Sequence, residues 1–265
     1  MIKVNNDKLA TFDTKTTYVI ADFNKTFTKG NSKTTWSIFA TSDLFDENYT
    51  KERNELFTIY KPFEDDQELD EKTKKLKLSE WWEKHINLFP KYKLNKNLIE
   101  KALLEDKIME LRNGVKSFLT FLNNNDIPLI IISQGIGNFA EVFLKMNNCY
   151  FENTRIISNM ITFDNNIANG YAGSIIHSFN KDEAKLPEDI LETINKRNQV
   201  LLLGDEISDL KMLDIASNRE NIKVAFLTEK HQNEINLYNE KFDVVCSDDT
   251  SYDEIGRLIF NNYDY

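Results

Sequence analysis

The stretch Thr17-Tyr-Val-Ile-Ala-Asp-Phe-Asn-Lys-Thr26 decides how the rest of the chain is read. Its apolar run ends on an acid, Asp22, and Asn24 stands two positions later. A short apolar run closed by polar residues is the pattern of a strand buried on both faces, as in a parallel sheet covered by helices. Pro128 to Ser133, Val200 to Leu203 and Ile222 to Phe226 repeat it. One-face apolar spacing between these runs predicts helices. Gly114 to Asn124 carries Val115, Phe118, Leu119 and Leu122, and Phe139 to Met146 follows the second strand. Leu186 to Lys196 precedes the third strand and Asp209 to Ala216 follows it. Strands alternating with helices imply right-handed crossovers, hence an α/β fold with a doubly wound, Rossmann-like parallel sheet.

Residues 36–108 break the alternation. Lys and Glu interleave there around Trp36, Phe39, Leu56, Phe57, Trp81 and Trp82, over far too much chain for a loop within a compact domain. The expectation is an inserted helical cap at 36–108, with 1–35 and 109–265 forming the α/β core. A smaller excursion, from Met160 to Ala172, reads as a β-hairpin, because Ile161-Thr-Phe and Gly170-Tyr-Ala flank a polar Asp-Asn-Asn.

Composition narrows the function classes. With 41% apolar and 12% aromatic residues in 265, the chain can bury a full core. A formal charge of -10 argues against a nucleic-acid polymer or an anionic membrane surface as partner. It leaves open a small anionic ligand, whose field a few local Lys and a metal can reverse. Cys149 and Cys246 are far apart without metal-ligand spacing, which reads as two reduced thiols. No signal-peptide core and no apolar run of ~18 residues stands out, so the reading is cytoplasmic.

In open parallel sheets, sites form beyond the carboxyl ends of the strands. The first polar residues there are Asp22, Ser133 and Asp205. Singly, each reads equally well as a turn residue or helix cap. In order, however, the chain presents Asp22-Phe-Asn-Lys-Thr26, Ile131-Ile-Ser-Gln-Gly135, Asn180-Lys181 and Gly204-Asp-Glu-Ile-Ser-Asp209. That order resembles the four motifs of the haloacid dehalogenase superfamily, whose phosphatases attack phosphate esters with an Asp in the pattern D-x-D-x-T. Leu111-Arg-Asn-Gly114, Ser133-Gln-Gly-Ile-Gly137, Ile157-Ser-Asn-Met160 and His177-Ser-Phe-Asn-Lys181 further resemble cytosolic pyrimidine 5′-nucleotidases of the nucleotidase III type. That family also carries its cap after the first motif.

The resemblance implies a set of roles. Asp22 would attack phosphorus to form an aspartyl-phosphate. Mg2+ would be held by Asp22, the backbone carbonyl of Asn24 and Asp205, with Asp209 orienting a metal-bound water or Lys181. Ser133 and the amides of Gln134 and Gly135 would bind the phosphoryl oxygens, while Lys181 neutralises their charge. Gly135 and Gly137 would let the backbone approach the anion. In the cap, Glu64 falls where the family contacts the nucleobase, and His85 where it makes another substrate contact. Trp81 and Trp82 read either as a stacking face for a base or as cap core.

Asn24 departs from the D-x-D-x-T pattern. The family's Asp there protonates the leaving oxygen and then activates water; an amide cannot, and such acid–base catalysis contributes ~10²–10⁴-fold. The function expected is hydrolysis of a small phosphomonoester, with a pyrimidine nucleoside 5′-monophosphate as a candidate. Two alternatives stay open: a non-catalytic nucleotide or phosphate binder on the same fold, and a phosphotransferase.

Overall fold

The computed structural model describes residues 3–4, 9, 12–41, 44–66, 68–105, 109–216 and 219–263. The far ends of the expected core, its junction with the insertion at 106–108 and the side chain of Phe39 lie outside the described residues.

The parallel strands expected from the apolar runs belong to one sheet. Its strands are β1 (Lys3–Val4), β2 (Thr17–Ala21), β3 (Leu129–Ile136), β4 (Thr154–Asp164), β5 (Ile167–Ala172), β6 (Gln199–Gly204), β7 (Glu220–Phe226) and β8 (Val244–Cys246). Their spatial order is β1-β8-β7-β6-β2-β3-β4-β5. From β8 to β4 neighbours run parallel, and β1 and β5 close the edges antiparallel. Every residue of β2 and β6 is buried, which is why these strands read as unbroken apolar runs.

Alternation along the strands sorts their side chains into two layers. Tyr18, Ile20, Ile130, Ile132, Val200 and Leu202 face Ile190 and Ile194 of α7 (Glu188–Asn195). Val19, Ala21, Leu129, Ile131, Leu201 and Leu203 face the opposite way, toward α5 (Val115–Asn124), α6 (Gly137–Met146) and α9 (Tyr252–Ile259). Helix α8 (Ile235–Lys241) completes the core, packing Tyr238 against Ala225 and Val245. Each fully buried aliphatic or aromatic side chain contributes about 1.5–3 kcal/mol.

Two elements differ from the sequence reading. The hairpin begins earlier: β4 pairs with β3 from Thr154 before it turns back on β5. Its polar residues Ser158 and Asn159 mask the strand in the sequence, yet they are buried because they donate hydrogen bonds to Gly135 O and Gln134 O. The segment after β6, expected as an α-helix, is a run of 3₁₀ turns over Ile207–Ala216.

Between β2 and α5 lie four helices: α1 (Thr35–Thr41), α2 (Glu47–Asp65), α3 (Glu71–Lys91) and α4 (Asn97–Glu105). Asp70 caps α3 by accepting the Thr73 N–H. Leu78, Trp81, Trp82, His85, Ile86 and Phe89 then fall on its buried side at three- and four-residue intervals. Just beyond α3 the backbone is tied to the hairpin, by Ala168 N–H to Leu94 O and Lys96 N–H to Asn166 O, both 2.8 Å.

Candidate active site

The chain leaves β2 toward β3 and β4, then returns to the other side of β2 for β6 and β7. This reversal splays the connections apart above the carboxyl ends of β6, β2 and β3 and opens a crevice there. Asp22 follows β2 directly, its N–H bonded to Leu203 O at 3.0 Å, so the sheet ladder itself sets its height. Beyond it Lys25 adopts a left-handed conformation (φ 59°), which costs a non-glycine residue about 1–3 kcal/mol unless its surroundings enforce it. Arg112 provides that enforcement. Its Nε donates to Lys25 O at 3.1 Å and Thr26 O at 3.0 Å, while Tyr252 Oη donates to Thr26 O. The guanidinium is buried and paired with Asp248 at 2.7 Å. The sequence reading quoted Arg112 within a motif and assigned it no role.

Lys181 enters the crevice from the loop after the hairpin and bridges two acids. Its Nζ lies 2.7 Å from Asp22 Oδ1 and 2.6 Å from Asp209 Oδ1. The other Asp209 oxygen accepts the N–H groups of Asp205 and Glu206 at 2.9 and 3.0 Å. Both Asp209 oxygens are thus engaged by protein donors, an arrangement that fits an orienting role toward Lys181. A Cβ at Gly204 would lie 2.7 Å from Asp209 Cβ, so this glycine is what admits Asp209 so close to the strand. Although burial alone would lower it, the Lys181 pKa is raised by Asp209 and Asp22, and the ammonium stays charged. Burial outweighs the Lys181 charge at Asp22 and lifts its carboxyl to about 7. Burial, then the charges of Glu206, Asp209 and Asp22, hold the Asp205 carboxyl well above its ordinary range.

The second-motif loop meets this group from the β3 side. Ser133 Oγ accepts the Gly135 N–H at 3.2 Å, which leaves its hydroxyl hydrogen for another acceptor. Asn24 Oδ1 accepts the Thr35 N–H at 3.0 Å, and Thr35 Oγ1 accepts the Ile136 N–H, so the start of α1 stitches the two loops together. A Cβ at Gly135 would clash with Thr35 Oγ1 and sit 2.9 Å from Asn24 Nδ2. At Gly137 a Cβ would strike Met160 and Ser158, so this glycine also permits close packing on β4.

Above these loops lies a half-open cavity of about 610 Å³, roofed by the insertion. Asp22, Asn24, Gln134, Lys181, Asp205 and Asp209 line it from below, Glu64 and His85 from above; Ser133 is buried next to Gln134. Gln134 Oε1 is buried there without a protein partner. His85 is fully buried, 3.0 Å from Tyr49 Oη, and burial drives its pKa down to about 3, so the imidazole is neutral. Trp82 is sandwiched between Trp36 at 4.4 Å and Trp81 at 4.6 Å, with near-parallel planes. With both faces covered, Trp82 is packing core and not a free stacking surface.

Among the described residues no three His, Cys, Asp or Glu side chains converge as a metal cluster. A hard cation here would rest on two carboxylates, Asp22 and Asp205, with backbone oxygen and water. That set suits an ion which keeps much of its own hydration. Asp205 Oδ1 has one weak bond, from Thr26 Oγ1 at 3.3 Å. Three buried acids, Asp22, Asp205 and Asp209, share the charge of Lys181, an excess that a divalent cation would offset.

Comparison with known proteins identifies the lineage of this arrangement. A family model described as pyrimidine 5′-nucleotidase (UMPH-1) matches residues 18–261. The 7-methylguanosine phosphate-specific 5′-nucleotidase A of Xenopus laevis is 31% identical over 249 residues, 91% of this chain and 86% of that protein. The Homo sapiens 7-methylguanosine phosphate-specific 5′-nucleotidase is 32% identical over 249 residues, covering 91% and 83% respectively. Among solved structures, cytosolic 5′-nucleotidase IIIB bound to cytidine shares the fold with a TM-score of 0.84 at 24% identity, over 94% of this chain and 86% of that one. Apo phosphoserine phosphatase shares the core fold more loosely, with a TM-score of 0.52 at 16% identity over 91% and 98%. The fold is that of haloacid dehalogenase-type phosphatases, and the chain belongs to the pyrimidine 5′-nucleotidase (UMPH-1) family.

Proposed function

We propose that this protein is a magnesium-dependent 5′-nucleotidase that hydrolyses a nucleoside 5′-monophosphate through an aspartyl-phosphate on Asp22. The observation that carries the reading is the buried Asp22–Lys181–Asp209 bridge at the floor of a nucleotide-sized cavity. Phosphate-ester hydrolysis without a catalyst is extremely slow, so a site must supply a fixed nucleophile and positive charge at the phosphoryl oxygens. Lys181 holds one Asp22 oxygen, which leaves the second oxygen to attack phosphorus. The same ammonium sits where it meets the phosphoryl charge. Mg2+ would be held by Asp22, Asp205 and the Asn24 carbonyl, and would neutralise charge on the phosphate and its carboxylates. Ser133 and the Gln134 and Gly135 amides would take the remaining oxygens, and Asn24 would contribute its carbonyl but no proton.

Residues 36–108 act as the cap over a core of 1–35 and 109–265, and they supply substrate choice. Glu64 offers an anionic acceptor for base N–H groups, with His85 beside the aromatic wall. The relatives named for 7-methylguanosine phosphate make that cationic base a candidate beside the pyrimidines, and a carboxylate within an aromatic wall suits a positive ring. The cytosolic names of two relatives favour a cytoplasmic setting.

The test is phosphate release from 7-methylguanosine monophosphate, UMP, CMP, a sugar phosphate and an aryl phosphate, with Mg2+ or with chelator. Nucleotide turnover that needs Mg2+ and vanishes in Asp22→Asn is the expected result. Absence of turnover on every compound overturns the reading. Asn24 favours one rival, a nucleotide binder without turnover, which predicts Mg2+-dependent binding by calorimetry and no phosphate release.

A further inference from the structure

The motif His177-Ser-Phe-Asn-Lys181 delivers Lys181 to the site, and the four residues before the lysine take no part in the chemistry above. We infer that these four form a docking turn through which the helical insertion positions Lys181. The inference rests on the proposed role of Lys181 in phosphoryl transfer.

Each of the four has a defined task. Asn180 closes the turn: its Oδ1 accepts the His177 N–H at 2.7 Å, its own N–H donates to His177 O, and its Nδ2 donates to Ile175 O. His177 is fully buried, and its Nδ1 accepts the Phe179 N–H at 3.2 Å. That bond fixes the neutral tautomer, with the hydrogen on Nε2, so Nε2 donates to Ser79 Oγ of α3 at 3.1 Å. Ser178 Oγ donates to Glu64 Oε1 of α2 at 3.3 Å. The Phe179 ring receives the Lys74 ammonium of α3 at 5.3 Å. Just past Lys181, Glu183 pairs with Lys75 at 2.8 Å.

These links differ in kind from those at the other end of α3. Near Leu94–Lys96 the insertion is tied to the hairpin by backbone hydrogen bonds, which do not depend on side-chain identity. At the Lys181 turn it is tied by side chains, the half-buried His177–Ser79 bond being the shortest link to a motif residue. A turn gripped by the insertion holds the lysine 2.7 Å from the nucleophile; a released turn lets Lys181 wander and leaves Asp22 without its partner. His177 and Ser79 are therefore positioning residues. Their effect must reach every substrate, because Lys181 faces the phosphate and not the base.

Ser79→Ala, which suits a helix better than serine does, removes the acceptor without disturbing the core. Its expected effect is a roughly tenfold or larger fall in kcat on both a nucleoside monophosphate and an aryl phosphate, with KM little changed, by analogy with the loss of other positioning contacts. His177→Gln, which keeps an N–H donor toward Ser79, retains activity that His177→Leu loses, and combining Ser79→Ala with His177→Leu costs no more than His177→Leu alone. Hydrogen–deuterium exchange provides a readout without turnover: the amides of residues 179–183 exchange faster in Ser79→Ala, while those of β2 do not. Unchanged exchange in that segment overturns the docking turn whether or not the wild type hydrolyses nucleotides. So does an effect confined to KM for the nucleotide. Absence of wild-type turnover with the exchange result intact instead refutes the proposed activity and leaves the docking turn standing.

Discussion

The residue at position 24 gives the sharpest test of how this site works. Asn24 is buried at the rim of the cavity, with Oδ1 on the Thr35 N–H at 3.0 Å and Nδ2 turned toward Gly135 in the loop proposed to bind phosphate. Asn24→Asp is isosteric and preserves the Thr35 bond, since a carboxylate oxygen accepts as the amide oxygen does. It places a titratable group on the phosphate side of the same residue. Burial and the neighbouring Asp22 and Asp205 raise such a carboxyl, favouring the protonated form that can act as an acid. Acid–base assistance is worth ~10²–10⁴-fold, or about 3–5 kcal/mol of barrier. It matters only where the departing oxygen needs a proton. Steady-state phosphate release should rise by that factor for a nucleoside 5′-monophosphate, whose leaving group is an alkoxide. For p-nitrophenyl phosphate, whose leaving group is already stable, it should rise less than about tenfold by the same reasoning. Equal gains on both substrates, or no gain on the nucleotide, refute the account of Asn24.

Three further outcomes follow from the same geometry. Lys181→Met leaves Asp22 and Asp209 buried without their shared cation, so urea unfolding without metal should show a loss of about 3–5 kcal/mol together with the loss of turnover; unchanged stability contradicts the buried bridge. Mg2+ at 100 times its Kd should raise stability by about 2.7 kcal/mol, read as a shift in Tm, and Asp205→Asn should remove most of that shift. The pH dependence has a definite sign. It is set for each group by its shift: burial raises Asp22 and Asp205, which take up protons first in the folded chain, whereas it lowers His85 to about 3 and His177 to about 4 from an ordinary 6.5, so at these two histidines the unfolded chain binds more protons below pH 6.5. Their contribution is complete above that pH and is lost as pH falls toward 4, by about 1.4 kcal/mol per unit for each histidine. Urea titrations of the wild type and His85→Gln at pH 7.5, 6 and 5 isolate one histidine: the wild type should lose stability relative to the variant as pH falls, and a constant difference refutes the buried neutral imidazole.

Much of the site was legible in the sequence because its residues stand at strand ends. β2, β3 and β6 each announce themselves as apolar runs, and a parallel sheet places whatever follows such runs on one rim. Asp22, Ser133 and Asp205 needed only that rule. Lys181 needed the motif order as well, since no strand precedes it directly. Ser158 and Asn159 escaped because buried polar residues in a strand look like loop until their partners, Gly135 O and Gln134 O, are known. Arg112 escaped for the same reason: its acceptors are backbone oxygens of Lys25 and Thr26, some 86 or 87 positions away.

The sequence by itself determined the fold class, a helical stretch after the first strand and the candidate residues at the strand ends, because hydrophobic periodicity and short motifs are local signals. Tertiary structure alone decided what long-range contact controls. It paired Asp209 with Lys181, set Gly137 tightly against β4, and turned Trp82 from a candidate platform into a ring covered on both faces. It also joined Ser79 to His177, 98 positions apart. Such pairings depend on where separate elements come to rest, and no spacing along the chain encodes them.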